Sequence, residues 1–132
     1  MCTCTMTSHA DETATHVVFD QENRMLVLQP QGWEEWQWAR PSKKTEELQP
    51  VRSVAHGSID GYAIQAVPYK TGWAILVRDS KGLSVKLLDS DQSECATLTI
   101  PQSTRLLVGS SDRLLAVTSQ GDVLEGEQSC AA

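Results

Sequence analysis

The sequence predicts an all-β fold of about ten short antiparallel strands, and three observations carry that reading. A strand, turn, strand unit occurs three times, in HVVFDQENRMLVLQ (His16 to Gln29), AILVRDSKGLSVKLL (Ala74 to Leu88) and LLAVTSQGDVLEG (Leu114 to Gly126). Each copy joins two runs rich in Val, Leu, Ile or Met through a short polar turn, the local pattern of a β-hairpin. From Val51 onward the strand cadence is unbroken: VRSVA, GYAIQAV, GWAILVR, LSVKLL, CATLTI, RLLVG, RLLAVT and DVLEG. The separators between these runs carry Gly, Pro, Asp and Ser, and they recur too often to leave room for a long helix.

The elements come in order along the chain. Residues 1–15 are rich in Thr, Ser and small side chains without a period, and read as a flexible N-terminal tail. The first hairpin pairs Val17–Phe19 with Met25–Leu28 through Asp20-Gln21-Glu22-Asn23, and Pro30 then breaks the ladder. The segment QGWEEWQWAR reads as strand or helix, and the polar stretch 41–50 as a surface loop with room for one helical turn at Thr45 to Leu48. A single β domain spans 16–126, and 127–132 is a flexible C-terminus. The second and third repeated turns lie about forty residues apart, close to the length of one propeller blade. The architecture is therefore a propeller-blade-like segment or a small sandwich or barrel.

The 132 residues suit one domain with a single core. Seventeen acidic against eleven basic side chains give a formal charge of -6, and Lys43-Lys44 is the largest basic block. Nucleic acid and anionic membranes need a clustered positive field, so neither is an expected partner. The start MCTCTMTSHADE has no basic, apolar leader pattern, and the expected compartment is cytoplasmic or nuclear. Cys2, Cys4, Cys95 and Cys130 do not form the framework of a disulfide scaffold.

Trp33, Trp36 and Trp38 are the main candidates for function, three of the four tryptophans within six positions. In an extended strand Trp36 and Trp38 share a face; in a helix Trp33 and Trp36 do. With Arg40 they make a candidate partner-binding patch, because Trp and Arg dominate binding hot spots. Against this stands burial, since indoles fill cores. In the alternative, Trp36, Trp38 and Trp73 line the interior of a small barrel or sandwich that takes an apolar ligand. Cys2-x-Cys4 with His9 and His16 has the wrong spacing for a zinc finger. Asp89, Asp91 and Glu94 match no calcium loop. His56, Ser58 and Asp60 gather a base, a hydroxyl and a carboxylate, but turn chemistry explains all three. No cofactor, metal or catalytic set is expected, and the protein reads as non-enzymatic.

Two segments resemble the repeat of the regulator of chromosome condensation propeller family. That repeat runs from an apolar strand ending in Gly through a turn with His to a strand of the type LAL-T, an acidic turn with Gly, and V-x-x-W-G. RLLVGSSDRLLAVTSQGDVLEGE offers Val108-Gly109, the turn Ser110-Ser111-Asp112, Leu114 to Thr118, Gly121, and Val123 with Gly126. VRSVAHGSIDGYAIQAV offers Val51, Val54, Ala55 and Gly57, followed by Tyr62 to Ala66. Asp112 or Arg113 stands where the family carries His, one extra residue precedes Gly121, and Leu124-Glu125-Gly126 replaces the closing Trp-Gly. The resemblance implies a propeller-like surface for binding other proteins, an adaptor or scaffold, and no nucleotide-exchange activity is carried over. A closed propeller takes at least about four blades, so the remainder is expected from a protein partner or from a homo-oligomer.

Overall fold

A computed structural model describes residues 14–20, 24–39, 49–89, 94–110 and 112–126, and among them the fold is all-β. The strands are β1 (His16–Phe19), β2 (Arg24–Gln29), β3 (Gly32–Ala39), β4 (Gln49–Ser58), β5 (Tyr62–Tyr69), β6 (Gly72–Asp79), β7 (Gly82–Leu88), β8 (Glu94–Thr99), β9 (Thr104–Gly109), β10 (Leu114–Thr118) and β11 (Val123–Gly126). They form three antiparallel meanders: a first sheet β1-β2-β3-β4, a middle sheet β5-β6-β7-β8, and a third sheet β9-β10-β11. All three repeated sequence units are hairpins, β1–β2, β6–β7 and β10–β11. Among the described residues no helix is long and apolar enough to cross a membrane.

Pro30 stands just past the end of β2, as expected, in a tight turn with Gln31 that leads into β3 in register Gln29↔Gly32. Proline lacks only the N–H, so just outside the last ladder pair it loses no ladder bond. The expected loop at 41–50 is shorter at its end, because Gln49 and Pro50 already pair with Ala39 and Trp38. Residues 41–48, with the proposed helical turn, lie outside the described residues, as do Arg40, Cys2, Cys4, His9, Asp91 and Cys130, and the side chains of Trp38 and Cys95.

The sheets stack face to face. Leu26, Leu28 and Trp33 of the first sheet pack against Ala63, Ala66, Trp73, Ile75, Val77 and Leu88 of the middle sheet. The opposite face of the middle sheet, with Val67, Ala74, Leu76, Val85 and Leu87, packs against Leu107, Leu114 and Ala116 of the third. This explains why β6 is a continuous apolar run rather than an alternating one, since both its faces are buried. Each outer sheet packs on the middle one through one face, its other face carrying exposed Val17 and Phe19 in the first sheet and Leu106, Val108 and Val123 in the third, and the three do not close into a propeller ring. Their first strands lie side by side at one edge of the stack, β1 against β5 and β5 against β9.

Polar side chains splice these edges. A ring N–H of His16 donates to the Ala66 carbonyl at 3.2 Å, tying β1 to β5. Gln65 completes a two-way bond with β9, its Nε2 donating to the Leu107 carbonyl and its Oε1 accepting from the Leu107 N–H, both at 2.9 Å. A bulge between Ala63 and Gln65 aims that side chain, as an extra residue on one strand re-aims the side chains beyond it. At the β6–β7 turn Asp79 accepts from the Lys81 N–H at 2.8 Å, and Gly82 takes φ 114°, open to glycine alone without strain.

Candidate interaction surface

Strand β3 divides the tryptophan cluster. Its pairing with β2 is regular from Arg24↔Gln37 to Gln29↔Gly32, so the period of two holds along it. The register shifts on its other side fall in β4, where Val54 and Arg52 are the extra residues between Ala55, Ser53 and Val51. Trp33 and Glu35 therefore point to the middle sheet, while Glu34 and Trp36 point away from it, with the backbone of Trp38 in register on that outer side.

The inward half builds a buried polar node. Glu35 has no exposed surface, and its Oε1 accepts from Trp73 Nε1 at 2.8 Å. Arg24 Nη1 lies 3.8 Å from the same oxygen, and its guanidinium carbon stands 5.8 Å from the centre of the Trp73 ring. The guanidinium also donates to Asp20 Oδ2 at 2.6 Å and to the Thr71 carbonyl at 3.1 Å. A carboxylate is costly to bury without donors and a counter-charge, and this one has both. Because Glu35 and Arg24 come from the first sheet and Trp73 and Thr71 from the middle one, the node fixes how the two sheets meet. Trp33 is 5% exposed and lies over Gly57, where an added Cβ would stand 2.6 Å from the indole nitrogen. Only glycine lets the ring approach so closely.

The outward half is a surface. Trp36, half-buried, donates from Nε1 to Glu34. Across the sheet it opposes Met25, which opposes Phe19, and Val27 opposes Val17. Phe19, the sole phenylalanine, is 55% exposed and Val17 is 45% exposed. The third sheet also has an apolar outer face: Leu106, Val108 and Val123 are 41%, 48% and 60% exposed, with Leu115 and Val117 between them. At its margin Arg113 Nε donates to Glu125 Oε1 at 2.8 Å. That hydrogen bond and the guanidinium charge hold the Glu125 carboxyl below its ordinary pKa, and the same bond raises Arg113.

The sequence-derived candidates thus separate. Trp33 and Trp73 are core, and Trp36 is on the outer face of the first sheet, opposite to the one that packs on Trp73. An apolar cavity of about 260 Å³ lies instead between the middle and third sheets, among Val85, Leu98, Ile100, Leu107, Leu114 and Leu124. His56, Ser58 and Asp60 are exposed at the end of β4 and just beyond it. Among the described residues no group of His, Cys, Asp and Glu is placed to hold a metal ion. Sequence reasoning overlooked Phe19 and Val17 as surface groups and the outer face of the third sheet. The signal was present in the alternation of HVVF and of RLLVG, once each strand has only one covered face. No protein-family model, curated protein or solved structure matches the chain.

Proposed function

We propose that this protein is a non-enzymatic interaction subunit of the cytoplasm or nucleus, a propeller-like segment that binds another protein through the outer face of its first sheet. The observation that carries the reading is the outward placement of Trp36 beside Met25, Phe19 and Val17. A contiguous apolar sheet face with an aromatic at its centre is what a partner buries, since aromatic anchors supply most interface energy. The backbone of Trp38 is in register on the same side of β3. The buried node at Glu35 holds that sheet on the rest of the molecule, so the face is presented on a fixed scaffold.

The test uses Phe19→Ser with Trp36→Ser, and Lys70→Ser as a control at an exposed turn. Affinity capture with each chain, followed by reconstitution with any purified candidate, measures whether binding depends on this face. Loss of the partner in the double variant with an unchanged melting profile supports the reading. A partner held equally by the double variant and the control overturns it.

A further inference from the structure

We infer that the partner is a second copy of this chain, and that the outer face of the first sheet in one copy packs on the outer face of the third sheet in the other. The inference rests on reading the outer faces as binding surfaces and adds which surface meets which. Within the chain, both sheet contacts join unlike faces. The first sheet uses the face carrying Leu26, Leu28 and Trp33, and the middle sheet meets it with the face carrying Trp73, Ile75 and Val77. The middle sheet then uses its other face, with Leu76, Val85 and Leu87, to meet Leu107, Leu114 and Ala116 of the third.

Each step repeats the same move, with first strands side by side and the leading face of one sheet on the trailing face of the next. Two faces remain when the move has been made twice. They are the trailing face of the first sheet, with Val17, Phe19, Met25 and Trp36, and the leading face of the third, with Leu106, Val108, Leu115, Val117 and Val123. They are the two kinds of face that the fold itself joins, so a third repetition of the move brings one onto the other.

The three sheets of the described residues are too few to close such an array, because closed propellers have about four to eight blades. Two copies bring six sheets, within that range, and three copies bring nine, outside it. The contact is head to tail, and a two-fold arrangement closes it by forming the same junction twice. Each chain then buries its exposed Val17, Phe19, Leu106, Val108 and Val123 across two sheet-on-sheet junctions.

Light scattering of the whole chain at low micromolar concentration is expected to give twice the chain mass of 14.5 kDa. A folded monomer, or an open series of higher masses, overturns the inference. Phe19→Glu alters one face and Val123→Glu the other, both at exposed positions, and each variant alone is expected to lose the dimer. Mixed in equal amounts they are expected to recover the dimer mass, because one unaltered junction forms between them. A dimer that survives either substitution, or a mixture that stays monomeric, rejects head-to-tail closure. A monomeric wild type whose separate protein partner is lost with Phe19 and Trp36 would reject only the second copy and leave the interaction reading standing.

Discussion

Glu35 is the residue on which the junction of the first and middle sheets turns. Replacing it by Ala strands the Trp73 N–H and leaves Arg24 with one fewer counter-charge in a closed site, and a loss of about 3 to 5 kcal/mol is expected. Glu35→Gln keeps an acceptor for Trp73 and should lose less, about 1 to 3 kcal/mol, in urea unfolding monitored by far-ultraviolet dichroism. Trp33 and Trp36 are expected to part in the same assay. Trp33→Ala removes a 5% exposed ring and should cost about 3 to 5 kcal/mol, whereas Trp36→Ala should cost about 1 kcal/mol or less. At this scale the sequence was half legible. The spacing W-E-E-W already puts Trp33 and Glu35 on one face and Trp36 on the other if the segment is a strand. The partners of Glu35 could not be read, because Trp73 reaches it only through the stacking of two sheets and Arg24 only through the pairing of β2 with β3.

Among the elements, the paired runs were legible where turn chemistry and alternation agreed, as in the hairpins around Gly82 and Gly121. The unalternating WAILV of β6 is legible as a strand buried on both faces, and that burial implies a sheet on either side. The end of β2 was legible in Pro30, which stands one residue past the ladder and so costs it no bond. The splices made by His16 and Gln65 have no local signature, since each depends on a neighbouring strand distant in sequence. Gln65→Leu should leave the Leu107 N–H and C=O without their side-chain partner and cost about 2 kcal/mol, with faster amide exchange at Leu107 as the check. On the third sheet, the lowered pKa of Glu125 gives a signed expectation. A depressed folded value contributes stability above the unfolded carboxylate value and loses it as pH falls through the folded one. NMR titration should place the Glu125 midpoint below the ordinary range, and Arg113→Gln should return it there.

Among the described residues the molecule is a stack of three sheets in which unlike faces meet across apolar side chains. The repetition of hairpins along the sequence anticipated stacked sheets, but not which side chains stay exposed, because that depends on which sheet each face meets. Burial of Trp33 and Trp73 with an outward Trp36 is the arrangement on which the functional reading stands. Fluorine NMR of the fluorotryptophan-labelled chain with a soluble paramagnet tests it most directly, with Phe19→Glu providing the dissociated chain. The expected result is that Trp33 and Trp73 keep their sharp lines in every sample, while Trp36 is sheltered in the wild type and broadened in the variant. Broadening of Trp33 and Trp36 alike, or a Trp36 line indifferent to the loss of Phe19, would contradict the account.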